Sequence, residues 1–369
     1  MNKKFNILIC PLEWGLGHAG RMIPLASKLR ESGHNVYIGT GNEHQSFFRN
    51  ELAGLSYIYF PGFKPGYSRI LPQYIALLLR TPLLIYHTIA EHLRLKRLIR
   101  RYDIDIVLSD NRFGLWNRSV KTVYITHQPL IPFPQKLRSL EWIGILLHRF
   151  IIKKYDFCFI PDLPGGINVS GRLSHGVKLP SNTKFIGILS RFGIPGPSTV
   201  KEINYFPHNT LILSGPEPQR GMLRQKLAGI LKDKEPPTVI LEGKPSDTYI
   251  PVSSGNIISY NHLPTAAMKK LITESENIIS RSGYTVVMEL VSLGRSALLI
   301  PTPGQTEQEY LAGYLSENGW FTAVSQNKLD DGLIFPERKA IVADEILNES
   351  RILLEKALDE LLKEPEGET

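Results

Sequence analysis

Apolar residues in the chain cluster into short runs, each closed by small or polar residues. Phe5–Leu12, Val36–Gly39, Ile104–Leu108, Thr122–Thr126 and Phe157–Ile160 are such runs. Their length and continuity predict strands buried on both faces, as in parallel sheets. After the first run the period changes. Ile23, Leu25, Ala26 and Leu29 share one helical face, and the pattern stops at Gly33. Strand, glycine-rich loop, helix and strand make a βαβ unit. The alternation restarts with Leu211–Leu213, Thr238–Leu241, Ile257–Tyr260, Asn277–Ser280 and Ala297–Ile300. Between the two sets, the stretch 193–198 is rich in Gly and Pro and reads as a linker. The pattern predicts two α/β domains of similar size facing a cleft: 1–190 and 201–369, joined by 191–200, with the last helix in the second.

Composition fits this picture. The 369 residues are 42% hydrophobic and 21% charged, which is ordinary globular composition and too long for one small core. Cys10 and Cys158 sit in apolar runs and read as buried thiols, too few for a disulfide framework or a cysteine zinc site. The apolar run after Asn2-Lys3-Lys4 is too short for a signal peptide. No run reaches the roughly 18 apolar residues of a membrane span. Charge is unevenly placed: residues 1–195 hold 26 Lys and Arg against 11 Asp and Glu, while 196–369 hold 17 against 24. The first half is therefore the one expected to meet an anionic partner.

In open α/β sheets ligands sit beyond the carboxyl ends of the strands, and the polar motifs lie there. Gly15-Leu16-Gly17-His18 follows the first strand and opens a helix, whose N-terminus favours negative charge. Gly15, Gly17 and Gly20 fit a dinucleotide pattern, but Thr40-Gly41-Asn42 stands where its acidic residue belongs. His18 could act as general base toward a hydroxyl; the plainer reading is an exposed loop histidine. Ser280–Thr285 leads from a strand into a helix carrying Glu289 within an apolar flank. That spacing suits a diphosphate at the backbone amides and ribose at Glu289. Pro301–Tyr310 is a rigid turn followed by hydrogen-bonding side chains, suited to a hydroxyl-rich ligand. Asp103-Ile104-Asp105 has the spacing of metal-dependent transferases but precedes its strand, so no metal site is assigned.

Together these motifs resemble the inverting glycosyltransferases of family 28, whose best-known members add N-acetylglucosamine to the peptidoglycan lipid intermediate. The resemblance spans nearly the whole chain. It is strongest over Ser280–Tyr310, and recurs at Gly17-His18 with Pro24, at Ser109-Asp110 and at Ile186-Gly187 with Arg191. It implies a GT-B fold, with acceptor in the first domain and UDP-sugar, a co-substrate, in the second; no further cofactor is implied. By motif matching, Glu289 would bind ribose, Ser282, Gly283 and Thr285 would lie by the diphosphate, and Gln308 and Glu309 would meet the sugar. Arg191 would reach the nucleotide, and His18 would be the base, with Asp110 orienting it or serving as base itself. Gly17, Arg112, His127 and Gln128 fall on the acceptor side. The loop Ser214–Arg220 departs from the family's glycine-rich pattern: two prolines remove amide donors, leaving Gly215 and Arg220 as its candidates. Glu309 replaces a family amide.

Lys64 to Arg101 holds eight Lys and Arg against one acid, Glu91, interleaved with leucines. Such a stretch suits an anionic bilayer, or is a core helix with a solvated basic face. With the resemblance it implies a lipid-linked or glycan acceptor and a peripheral position on the inner face of the plasma membrane. Nucleic acid would explain the charge but not the second-half motifs. A UDP-sugar hydrolase or 2-epimerase on the same fold is the alternative, and a non-catalytic sugar-nucleotide-binding or membrane-docked subunit a further one.

Overall fold

Each half of the chain builds one seven-stranded sheet. The computed structural model describes residues 3–52, 54–64, 79–193, 207–244, 251–330, 332–336 and 343–364. In the first sheet the order is β3-β2-β1-β4-β5-β6-β7, all parallel. Its strands are β1 (Asn6–Cys10), β2 (Asn35–Thr40), β3 (Ser56–Tyr59), β4 (Ile106–Asp110), β5 (Lys121–Ile125), β6 (Phe157–Ile160) and β7 (Thr183–Phe185). The second sheet, β10-β11-β9-β8-β12-β13-β14, is parallel except for the edge pair β10–β11. It comprises β8 (Asn209–Ile212), β9 (Thr238–Leu241), β10 (Val252–Ser254), β11 (Ile257–Tyr260), β12 (Asn277–Ser280), β13 (Leu298–Leu299) and β14 (Thr322–Ala323).

The central strands are the apolar runs of the sequence: Ile7–Cys10, Ile106–Asp110 and Ile278–Ser280 are buried throughout. Sheet edges were not legible in the same way. β3, β7 and β10 are short, and β7 and β10 contain no buried position, so hydrophobic pattern could not mark them.

Helices cover both faces of each sheet, as parallel strands require. They are α1 (Leu16–Glu31), α2 (Asn42–Glu51), α3 (Thr81–Tyr102), α4 (Glu141–Ile152), α5 (Gln219–Leu231), α6 (Thr265–Glu274), α7 (Tyr284–Ser292), α8 (Thr306–Glu317) and α9 (Ala343–Leu362). The last helix is shared between the halves. Ile346 packs in the second core, whereas Ala357, Leu358 and Leu361 pack in the first with Ile7, Leu29 and Ile106. Lys28 Nζ meets Glu355 at 3.1 Å, Lys184 pairs with Glu360, and Lys121 Nζ donates to the Leu361 carbonyl at 2.8 Å. The chain thus closes back on its first half. Of the predicted linker, Arg191–Gly193 forms a 3-10 turn; 194–200 lie outside the described residues, as do 65–78 of the basic stretch.

Candidate active site

The carboxyl edges of the two sheets face one cleft of about 1600 Å³. Helix α1 enters it from one side and α7 from the other, and they touch. The Thr285 hydroxyl donates to the Gly17 carbonyl at 3.0 Å, and a Cβ on Gly17 would sit 3.2 Å from that hydroxyl oxygen. The glycine at 17 therefore serves close approach of the two halves.

His18 lies in the first turn of α1 and Asp110 ends β4. His18 Nδ1 is 2.9 Å from Asp110 Oδ2, the two atoms most expected to act together. Asp110 is fully buried and is not among the residues lining the cleft, whereas His18 is. A third side chain completes the cluster. Arg21, one turn on, donates from Nε to Asp110 Oδ2 at 3.1 Å and from Nη2 to Asp110 Oδ1. Its Nη1 lies 3.0 Å from His127 Nδ1. His127 in turn places Nε2 2.9 Å from Glu307 Oε1 on α8 and stacks on Tyr284 with ring centroids 4.1 Å apart. A polar chain therefore crosses the cleft floor from His18 to Glu307.

The electrostatics follow from burial and from Arg21. Desolvation, then the Arg21 charge, push the His18 imidazole below its usual 6.5, against the upward pull of Asp110. Burial pushes Asp110 up, but Arg21 and His18 outweigh it and hold the carboxyl below its ordinary range. Glu307 is likewise raised by burial and brought below the ordinary value by His127. His18 is thereby a neutral imidazole seated on a carboxylate.

On the second half, Gly215 (φ +88°), Gly283 and the N-terminus of α7 line the cleft. No side chain caps α7, so its first amides remain available to an anion. Glu289 is buried on the same helix, and burial raises its carboxyl despite Arg191.

Several expected contacts take other forms. Ser282 does not line the cleft; its hydroxyl donates to the Gln308 carbonyl at 2.8 Å. Gln308 Oε1 accepts from the Thr302 amide at 2.9 Å and so braces the Pro301–Gly304 turn. Glu309 is exposed and accepts from the Gly304 amide at 2.8 Å; it is not among the residues lining the cleft, whereas Glu307 is. Consecutive helical positions point about 100° apart, and 307 is the one facing the cleft. Arg191 does not offer a free guanidinium: Nε meets Glu289 at 2.7 Å, Nη1 meets Glu51 at 3.2 Å and Nη2 meets Met268 Sδ at 3.1 Å. Arg220 is held by Glu217 at 3.0 Å and by the Gly243 carbonyl at 2.9 Å. Arg112 borders the cleft, but its guanidinium is paired with Glu91 at 3.2 Å and stacked on Phe60, so it fixes the wall. Gln128 lines the cleft, and its Oε1 is buried without a hydrogen-bond partner. Asp105 accepts from the Asn6 amide at 2.8 Å, and Asp103 caps α3 in the left-handed region; both lie at the end of β4 away from the cleft.

Arg21, Glu307 and Glu51 were not singled out from sequence. Arg21 carried a usable signal: three residues after His18, it must share that helical face.

Residues 243–363 match the glycosyltransferase family 28 C-terminal domain. Over 87 residues the chain is 33% identical to the UDP-N-acetylglucosamine--N-acetylmuramyl-(pentapeptide) pyrophosphoryl-undecaprenol N-acetylglucosamine transferase of Rhodopseudomonas palustris. That match spans 23% of this chain and about a fifth of the relative, 22%. Among solved structures, the glycosyltransferase SnogD from Streptomyces nogalater superposes with TM-score 0.62 at 16% identity, covering 98% of this chain and 100% of that one. MurG of Acinetobacter baumannii superposes with TM-score 0.52 at 14% identity over 98% and 100%. At such identities the structural likeness establishes the fold alone. Residues 243–363 are similar to a glycosyltransferase family 28 C-terminal domain, and the chain has the two-domain GT-B fold.

Proposed function

We propose that the protein moves a hexose or N-acetylhexosamine, with N-acetylglucosamine favoured, from a UDP-sugar to an acceptor hydroxyl, with inversion. The observation that carries this reading is the His18–Asp110 pair, 2.9 Å apart, facing the uncapped N-terminus of α7 across one cleft. His18 Nε2 takes the acceptor proton as the hydroxyl oxygen attacks the anomeric carbon. The bond to the diphosphate breaks on the opposite face and UDP leaves with its electron pair. The α7 amides offset the charge developing on the diphosphate, in a scheme that uses no divalent ion. Glu289 receives the ribose hydroxyls, and Glu307 those of the sugar. The name of the Rhodopseudomonas relative supports the choice of sugar and of a lipid-linked acceptor.

A second feature supports a lipid-linked acceptor and a peripheral site on the inner face of the plasma membrane. Helix α3 buries only Glu91, Leu95 and Ile99, and leaves Leu83, Tyr86, Ile89 and Leu93 exposed. Helix α4 leaves Trp142, Ile143, Leu146, Leu147 and Phe150 exposed along one stripe. Exposed hydrophobic residues scattered singly are ordinary on a protein surface; a stripe of them along one helix marks an interaction site. Exposed Arg80, Arg97, Lys136 and Arg138 lie on or beside it, as an anionic bilayer would favour. Leu137, Leu140 and Ile143 belong both to this surface and to the cleft wall, which gives a lipid tail a continuous path. Among the described residues no helix is long and apolar enough to cross a membrane.

Thermal stabilisation by a panel of nucleotide-sugars tests the donor. UDP-N-acetylglucosamine should raise the melting temperature with concentration; a shift only with other nucleotides would overturn the donor assignment.

A further inference from the structure

Arg21 has no part in the scheme above, yet it is 1% exposed and touches both histidines of the cleft floor. An arginine side chain can only donate hydrogen bonds. Its Nη1, 3.0 Å from His127 Nδ1, therefore requires the lone pair there. The proton of the His127 ring then sits on Nε2, aimed at Glu307 Oε1 at 2.9 Å. The same guanidinium forks onto Asp110 through Nε and Nη2; Nη2 also lies 2.8 Å from His18 Nδ1, a contact of charge rather than a hydrogen bond when that nitrogen gives its hydrogen to Asp110 Oδ2. One cation thus touches the base of the first half and, through His127, the cleft carboxylate of the second.

We propose that Arg21 is a positioning residue that fixes His127 as the Nε2–H donor to Glu307 and keeps His18 free of a second proton. The inference rests on the glycosyl-transfer reading for its purpose, but not for its geometry. The groups facing His18 are Arg21 on α1, Asp110 on β4, His127 after β5, Glu307 on α8 and His44 on α2. Of these, Arg21 is the permanent cation. With it removed, burial is the main influence left against the upward pull of the Asp110 carboxylate on His18.

The test is a long-range proton–nitrogen spectrum of the full chain labelled with nitrogen-15 at its 10 histidines, with His18 and His127 assigned by His18→Gln and His127→Gln. In the wild type, His127 should show the Nε2–H tautomer. In Arg21→Met the His127 Nδ1 loses its donor, so its nitrogen shift should change, and the His18 titration midpoint should move up. Arg21→Lys keeps the charge but loses the Nη1 arm, so it should show the same change at His127 Nδ1 while His18 stays low. An Nδ1–H tautomer for His127 in the wild type would overturn the inference. So would unchanged signals from both histidines in a folded Arg21→Met. If Arg21→Met does not fold, the wild-type tautomer and the lysine variant decide. No donor or acceptor enters the measurement, so it fails or succeeds separately from glycosyl transfer.

Discussion

Arg191 Nε and Glu289 Oε1 lie 2.7 Å apart, both buried, where the first half, the linker turn and the second half meet. Arg191 Nη1 continues to Glu51 of the first half at 3.2 Å, and the Thr265 hydroxyl donates to the same carboxylate. The carboxylate proposed to receive ribose is thus held by a cation that also ties the domains together. Removing one partner of a buried pair leaves an uncompensated charge. Arg191→Gln should therefore cost about 3–5 kcal/mol of unfolding free energy, read by denaturant titration. Glu289→Gln leaves Arg191 paired with Glu51, so it should cost less stability and act mainly on ligand, weakening UDP binding about tenfold or more by calorimetry, the size expected for a lost charged hydrogen bond.

His18→Ala should lower turnover by about 10²–10⁴-fold, the usual contribution of a positioned base, while UDP binding survives. Turnover measured alongside UDP affinity checks this; unchanged turnover would remove His18 from the base role.

Glu307→Gln and Glu309→Gln separate two neighbouring carboxylates. Glu307 faces the cleft and His127, whereas Glu309 is exposed on the Gly304 amide. The first should raise the donor KM or lower kcat markedly; the second should leave both within about twofold, since surface changes cost little. Equal effects would contradict the assignment.

The pH dependence has a definite sign. His18 is lowered from 6.5, chiefly by burial and then by Arg21, so its base form persists below that value. The acid limb of the kcat profile should therefore lie below pH 6.5. Asp110 and Glu307 are both held below their ordinary values, so they contribute stability that is present above those values. It is lost as pH falls through the lowered ones. Melting temperature followed downward from pH 5 should drop, and less steeply in Asp110→Asn.

The apolar stripe of α4 gives a separate prediction. Leu147→Glu with Phe150→Glu should reduce co-sedimentation with vesicles containing anionic phosphatidylglycerol, and leave UDP binding intact. Sedimentation equal to the wild type would detach α4 from the bilayer.

The sequence made the sheet centres legible, because strands such as Ile7–Cys10 and Ile106–Asp110 are buried on both faces and read as apolar runs. It also marked His18, Asp110, Gly283 and Glu289, which follow strands or open helices. Partners whose position depends on contact between halves were not legible. Glu307 gained its role only when His127, 180 residues away, was brought to 2.9 Å. Arg191 was expected at the nucleotide, but Glu51 and Glu289 had to be folded around it before its pairing was visible. The exposed stripe of α4 has the apolar content of a core helix, and only the fold shows that these side chains are exposed among the described residues.

The central claim is transfer from a UDP-sugar to a lipid-linked acceptor with His18 as base. Labelled UDP-N-acetylglucosamine, incubated with the protein and a bacterial membrane lipid extract, tests it most directly by counting UDP released against label in the organic phase. UDP release matched one-to-one by lipid label, and lost in His18→Ala, is the predicted result. UDP release without labelled lipid, at the same rate with and without extract, would contradict it and mark the protein as a hydrolase.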